Sequence, residues 1–284
     1  MFHRDVAEFA FCGTELAERI ERAETQLITA GTEVARRRNP SAAFVRPVAG
    51  GAACFAEGGS PFTKVVGLGF GGVPGGAEFD EIERAYAGLA APTQVELANL
   101  ADPEIGLLLT GRGYRLVAFE NVLGRSLEVA ETPSASAELD VRLSTEDELD
   151  AWMEVVTTGF AHPDEQGVPS FEEFPREVVE RAELDFVAAG AQTYLAVRDG
   201  VIAGGASMRM TDGVAQLTGA ATAPAHRRHG VQTALLAVRL SDAAKAGCDI
   251  AVVTTSPGSK SQQNVQRQGF ALLYTRAVLV KDTE

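Results

Sequence analysis

The clearest hydrophobic patterning lies in the second half of the chain. Val141, Arg142 and Leu143 alternate as a short strand, and Thr145 stands where a helix N-cap belongs. Asp147 and Glu148 fall in the first turn, where the helix dipole favours acids, so a helix is expected from there through Phe160. Residues 169–189 show acidic and apolar faces at helical spacing. Residues 192–198 and 201–210 read as strands joined at Asp199-Gly200, and Asp212-Gly213 is a second hairpin turn leading into a strand over 214–222. Residues 231–245 put Val231, Ala234, Leu235, Val238 and Leu240 toward a core and stop before Gly247, a C′ glycine. Residues 250–255 are β-branched and apolar on both faces, as a central strand requires.

The first half repeats this order. A strand is expected over 64–70, then Pro74, a helical stretch, a strand over 94–97, a short helix and an aromatic strand. Two anchors fall at nearly the same offset. Ala49-Gly50-Gly51-Ala52-Ala53 recurs as Ala203-Gly204-Gly205-Ala206-Ser207, 154 residues later, and Gly113-Tyr114-Arg115-Leu116 as Gly269-Phe270-Ala271-Leu272, 156 residues later. The second alignment carries Val122-Leu123 onto Val278-Leu279. Duplication is favoured over coincidence, and residues 131–138, without apolar periodicity, have the composition of a linker. The expected division is a domain over 1–130, the linker, and a domain over 139–284, each with a mixed sheet flanked by helices.

Composition changes this picture in one respect. The 284 residues suit about two domains. Lys plus Arg number 25 against 39 Asp plus Glu, a net charge of −14 that repels a polyphosphate backbone and disfavours nucleic acid as a partner. No apolar run approaches the roughly 20 residues that span a bilayer, and the N-terminus lacks a signal-peptide layout. Cys12, Cys54 and Cys248 form no CxxC and cannot all pair, which favours a reducing, cytoplasmic setting.

Against that acidic background one basic turn stands out. Thr222-Ala223-Pro224-Ala225-His226-Arg227-Arg228-His229-Gly230-Val231-Gln232-Thr233 ends a strand at proline and opens an amphipathic helix. A helix N-terminus offers unpaired N–H groups and partial positive charge, and Gly230 allows close backbone approach. The bland alternative is a solvated strand-to-helix loop. No Gly-Lys-Ser/Thr follows, which argues against a Walker-type site. His226 and His229 have no third ligand nearby, so no metal is expected.

Arg227-Arg228-His229-Gly230-Val231-Gln232 resembles the acetyl-CoA motif Gln/Arg-x-x-Gly-x-Gly/Ala of the GNAT acetyltransferase superfamily, departing at Gln232. The resemblance covers roughly 139–281, ends with Arg267-Gln268-Gly269-Phe270, and extends faintly to the first half through the repeat. It implies an α+β protein of two tandem GNAT-like domains that moves an acetyl group from acetyl-CoA to a small-molecule or peptide amine. By that resemblance the N–H groups of Arg228, His229, Gly230, Val231, Gln232 and Thr233, beside Arg227, hold the pyrophosphate. Ala221, Thr222 and Ala223 bond the pantetheine amides, and Asn264 lines the pantetheine channel. Ser259 or Ser261 is also the expected N-cap of the helix that follows.

Departures from the family pattern are equally plain. The position four before Gly269, where the family often carries a Tyr, is Val265, and the strand before the motif has Gln216 where many members carry Glu. Tyr274, Tyr194 and His162 are substitutes of the right chemistry, and the catalytic residues stay unassigned. At the matching turn the first half reads Gly71-Gly72-Val73-Pro74-Gly75-Gly76-Ala77-Glu78-Phe79-Asp80-Glu81, with no arginine and three acids. This half is expected to be a degenerate copy that binds no CoA there and packs on, or shapes the acceptor pocket of, its partner. The competing reading is a non-catalytic acyl-CoA-binding sensor or scaffold; a homodimer is compatible with either.

Overall fold

A computed structural model describes residues 11–127, 138–162, 166–168, 171 and 174–283. The first element is a long helix, α1 (Thr14–Arg38), on which the sequence pattern had placed nothing. It buries Ala17, Ile20, Ala23, Leu27, Ile28 and Ala35, a three-to-four spacing that keeps one face inward. There follow β1 (Phe44–Val48), β2 (Gly51–Phe55), β3 (Lys64–Val66), α2 (Gly76–Ala87), β4 (Thr93–Ala98), α3 (Pro103–Gly111) and β5 (Arg115–Ser126). The second half comprises β6 (Asp140–Leu143), α4 (Leu149–Phe160), α5 (Arg176–Ala188), β7 (Gln192–Arg198), β8 (Val201–Thr211), β9 (Val214–Thr222), α6 (Val231–Lys245), β10 (Ile250–Thr255), α7 (Lys260–Arg267) and β11 (Ala271–Lys281).

Most expected elements occur where the pattern put them, and the deviations have local causes. The strand expected over 64–70 stops at Val66, because Gly67 and Gly69 take φ of 73° and 88°. The helix expected from Thr145 begins as a 3-10 turn closed by a Thr145–Glu148 capping box and turns α-helical at Leu149. The helix expected over 169–189 starts at Arg176, after Pro175; residues 169, 170, 172 and 173 lie outside the described residues, as does 131–137 of the expected linker. Asp199 and Gly200 have φ of 54° and 77°, and Asp212 and Gly213 have 48° and 76°, the positive pair that a tight two-residue hairpin requires.

The halves do not carry separate sheets. Among the described residues eleven strands form one sheet in the order β1-β2-β3-β4-β11-β5-β10-β9-β8-β7-β6. The last strand of each half is exchanged: β5 pairs with β10 of the second half, β11 pairs with β4 of the first, and β5 and β11 pair with each other. Among the described residues only β3–β4 and β9–β10 are parallel, at equivalent places in the two halves. The glycines of the first repeat anchor occupy close approaches in both halves. A Cβ on Gly51 would meet Val66 O at 2.2 Å, and one on Gly204 would meet Ala221 O at 2.8 Å.

The core is distributed over both faces. Leu235, Leu236 and Leu240 of α6 pack with Tyr194, Ala206 and Met208, while Phe79 and Ile82 of α2 and Ile105 and Leu109 of α3 cover Val65 and Val95 with Leu279 of β11. Trp152 of α4 sits over Leu195, fully buried, with its Nε1–H donated to Ala206 O at 3.1 Å. Helix α1 lies over the junction, where Ala17, Ile20 and Ala23 meet Val122, Val214, Val252 and Tyr274 from strands of both halves. Arg19 pairs with Asp249 at 2.7 Å, and Arg38 with Asp185 at 2.7 Å, so a first-half helix is tied to the second half at both ends.

Candidate functional site

Strands β9 and β10 are paired only at Val214–Ile250, Ala215–Ala251 and Gln216–Val252. Beyond Gln216 each strand follows its other neighbour, β9 with β8 and β10 with β5, so the sheet splits. A cavity of about 350 Å³ occupies the split. Its wall on one side is Gln232, Thr233 and Leu236 of α6 with Ser261, Asn264 and Val265 of α7; on the other it is Glu24, Leu27 and Ile28 of α1 with Lys64 and Phe186.

The strand edge at the split is bulged. Gly205 faces Ala221 but Ser207 faces Thr218, so β9 carries one extra residue around Gly219, whose φ is 51°. Arg239 of α6 anchors the bulge: its Nη1 donates to Ser207 O at 2.9 Å and Thr218 O at 3.4 Å. Burial pulls this guanidinium down to about 10, and it remains charged at neutral pH. Glu183 of α5 approaches from the other face, its carboxyl oxygens 3.3 and 3.4 Å from where a Gly219 Cβ would stand. Burial pushes this carboxyl up to about 7.

At the mouth, the turn has the form a bound anion needs. The Ala223 N–H donates to Ala203 O at 3.0 Å, Pro224–His226 is a 3-10 turn, and Arg228 and Gly230 take φ of 66° and 78°. Gly230 is the N-cap of α6 and supplies no capping side chain. The N–H groups of Arg228, His229, Gly230, Val231, Gln232 and Thr233 make no hydrogen bond to a described residue. Arg227 donates to the carbonyl of His162, which fastens the turn to the end of α4, and Arg228 and His229 are exposed. The Gln232 side chain accepts from Asn264 Nδ2 at 2.6 Å, bridging α6 to α7 beside the cavity. Ser259, not Ser261, is the N-cap of α7, accepting from Gln262 N at 3.1 Å.

The sequence-derived cofactor set is therefore brought together: Ala221, Thr222 and Ala223 close β9, the 227–233 turn follows, and Asn264 faces Gln232. The acid–base candidates are not. Tyr194 is fully buried under α6, with Asp242 and Gln192 as its hydroxyl partners at 3.4 and 3.3 Å. Tyr274 donates to Glu21 Oε1 at 2.6 Å inside the α1 junction. The His162 ring meets Thr158 O at 2.9 Å on an exposed helix end. Val265 lines the cavity where a Tyr was sought. No group of three His, Cys, Asp or Glu among the described residues could hold a metal ion.

The structure adds a charged cluster that the sequence reading missed. Arg276 of β11 is 2% exposed, and its Nε donates to Glu21 Oε1 at 2.7 Å. Its Nη1 lies 3.9 Å from Glu24, 3.9 Å from Glu96 and 3.8 Å from Glu120. Lys64 pairs with Glu96 at 2.5 Å. Burial raises Glu21 despite Arg276, and burial with the neighbouring Glu96 charge pushes Glu120 up to about 8. Burial opposes the Arg276 charge, but the surrounding carboxylates hold it above its ordinary range. The available signal was a charge inside an otherwise apolar strand: Glu96 in Val95-Glu96-Leu97, Glu120 in Phe119-Glu120-Asn121-Val122, and Arg276 in Thr275-Arg276-Ala277-Val278.

At the corresponding first-half turn, Gly75 caps α2 and Glu78 lies in its first turn. Arg112 binds Asp80 and Glu83, the latter at 2.9 Å, and Lys281 binds Glu83 at 2.8 Å. Asp80 and Glu83 thus tie α2 to the end of α3 and to β11.

Residues 158–270 match the model of the Acetyltransferase (GNAT) family. The second half thus carries a GNAT-family domain, and the chain has the fold of tandem GNAT proteins. A GCN5-related N-acetyltransferase from Kribbella flavida is 20% identical, with a TM-score of 0.63 over 95% of this chain and 96% of that one. A tandem GNAT protein from the clavulanic acid biosynthesis pathway is 15% identical, with a TM-score of 0.60 over 98% of each chain. A GCN5-related N-acetyltransferase from Sphaerobacter thermophilus is 19% identical, with a TM-score of 0.53 over 72% of this chain and 65% of that one. No curated protein matches the chain in a sequence search. No helix among the described residues is long and apolar enough to cross a membrane.

Proposed function

We propose that the protein is an acyl-CoA-dependent N-acetyltransferase, with the cofactor in the second half (139–284) and a degenerate copy in the first (1–130). The observation that carries this reading is the run of unpartnered N–H groups from Arg228 to Thr233, opening beside a cavity at the split between β9 and β10. Those donors with Arg227, Arg228 and His229 suit a pyrophosphate, by hydrogen bonding and by the helix dipole together. The edge of β9 that faces the split, without a β10 partner beyond Gln216, suits the pantetheine amides along Ala221 to Ala223, leading the thioester to the Gly219 bulge. There Gly219 and Ala220 fall outside the β8–β9 register, which suits a strand N–H meeting the oxyanion of a tetrahedral intermediate, and Arg239 holds the bulge in place. Holding an amine against the thioester removes up to about 7–11 kcal/mol of barrier, so positioning does most of the chemistry.

A second reading, a non-catalytic acyl-CoA sensor or scaffold, is favoured by the seclusion of Tyr194 and Tyr274 and by Val265 at the cavity wall. Calorimetric titration with acetyl-CoA tests both, and free-thiol release over a panel of amines separates them. Heat with thiol release supports the transferase; heat without release on any amine supports the sensor; no heat rejects both.

A further inference from the structure

The cavity has two chemically different ends. Toward α6 and α7 it is lined by neutral polar and apolar groups together with the Arg239 guanidinium that is tied into the β9 bulge, and toward α1 it meets the charged cluster. Strand β9 itself offers no carboxylate to the cavity: Gln216 lines it, 3% exposed. The Gln216 amide nitrogen donates to Glu24 Oε2 at 3.0 Å, while its carbonyl oxygen Oε1 is buried without a partner. Glu24 belongs to α1 in the other half of the protein and lines the same cavity. The carboxylate absent from β9 is thus present beside it, delivered across the interface between the halves.

What surrounds this pair defines what it can bind. Facing Glu24 are Arg276 of β11, Glu21 on its own helix, Tyr274 of β11 and Arg209 of β8, with Glu96, Glu120 and Lys64 around the same guanidinium. Around Arg276 stand four carboxylates, Glu21, Glu24, Glu96 and Glu120, with Lys64 as a second cation and Arg209 beside Glu24 as a third. Glu120, pushed up to about 8, is protonated at neutral pH, so the carboxylate offered at the cavity wall is Glu24, and the orphaned Gln216 Oε1 beside it asks for a hydrogen-bond donor rather than an acceptor. An anionic head group would be repelled, and a hydroxyl would bring one hydrogen where two acceptors stand together. A primary ammonium brings three N–H donors and a charge opposite to that of Glu24.

We propose that Glu24 and the Gln216 carbonyl oxygen form the acceptor's ammonium site, and that Glu24, supplied by the first half, takes the proton that frees the amine. This rests on the transferase reading above. The step balances without any further reactant. Glu24 removes one proton from R–NH3+, and the amine lone pair forms the N–C bond at the thioester carbon. The C–S bond breaks as the oxyanion collapses, the second nitrogen proton goes to the departing thiolate to give CoA–SH, and Glu24 releases its proton to water. The first half then has a defined task, completing the active site of the second.

The test uses the full chain saturated with CoA and n-butylammonium as probe, with binding followed by saturation-transfer NMR. Wild-type protein is expected to bind the probe saturably, and Glu24→Gln to bind it at least tenfold more weakly. In acetyl-CoA turnover of n-butylamine, Glu24→Gln is expected to lose a factor of about 10²–10⁴ in kcat. Its remaining rate should climb with pH toward the amine pKa, as the free amine replaces the missing base. The exchanged pair Glu24→Gln/Gln216→Glu keeps the two side chains' volumes and should recover probe binding, an outcome that a merely structural role for Glu24 does not give. Absent probe binding, or equal binding by wild type and Glu24→Gln, overturns the inference, as does an exchanged pair that folds and binds CoA yet takes up no probe. Failure of acetyl-CoA itself to bind wild-type protein is a different result, and rejects the transferase reading instead.

Discussion

Glu120 on β5 and Arg276 on β11 stand directly opposite each other in the sheet, 156 residues apart in the chain. That separation equals the repeat offset of Gly113 and Gly269, so the two residues occupy the same position in the two halves. Because β5 and β11 are antiparallel, a local two-fold axis passes between them. The duplicated position has taken opposite charges, and the cluster of Glu21, Glu24, Glu96 and Lys64 is built around that broken symmetry.

Arg276 is the keystone of the cluster, and its loss leaves Glu21 buried without a cation. Arg276→Met is expected to cost about 3–5 kcal/mol in urea or guanidinium unfolding. Adding Glu21→Gln should restore a measurable part of that loss, because the stranded carboxylate is then gone. Equal stability of Arg276→Met and wild type would contradict the picture of a buried pair.

The turn at 227–233 should bind through charge as well as through backbone. Arg228→Glu places a carboxylate among the free N–H groups, so acetyl-CoA affinity is expected to fall at least tenfold, about 1.4 kcal/mol. Wild-type affinity should itself weaken with added salt. Unchanged heats for the variant would refute the pyrophosphate assignment.

Stability should decline from pH 5 to pH 8.5, and Glu183 is one named cause. Burial raises its folded pKa to about 7, above the roughly 4.3 of an unfolded chain. A raised acid stabilises fully below the unfolded value, and that contribution is lost as pH rises through the folded one. The full span is on the order of 3 kcal/mol. Glu120, raised to about 8, has the same sign. Glu183→Gln should flatten the melting-temperature profile and melt above wild type at pH 8; an unaltered slope would show that Glu183 is ionised throughout.

Strand exchange predicts that the halves are not separable. Residues 1–127 alone lack the partner between β4 and β5, and residues 138–284 alone lack the one between β10 and β11. Each fragment is expected to aggregate when expressed singly, and the two to recover as a one-to-one complex when expressed together. Soluble, cooperatively folding single fragments would contradict this.

The parts of the molecule that local chemistry determines were legible in advance. Asp199-Gly200 and Asp212-Gly213 announced their hairpins, Gly247 its helix end, and the 227–233 turn its place between β9 and α6. The strand order was not, since nothing in β5 or β11 says which half it will pair with; that depends on contacts 150 residues away. Glu24 was illegible for the same reason. On α1 it is one acid among several, and only the fold sets it 3.0 Å from Gln216. The two residues that compensate for a missing carboxylate are 192 positions apart.

The exchanged strands also impose an order on the protein's birth. During synthesis β4 is complete at Ala98, yet the strand that covers its edge begins only at Ala271. Those 172 intervening residues take roughly 9–34 s at about 5–20 residues per second. Throughout that interval the nascent chain carries an open edge, and closure comes only when β11 has left the ribosome. A premature stop before β11 would therefore undo the first half of the protein along with the second.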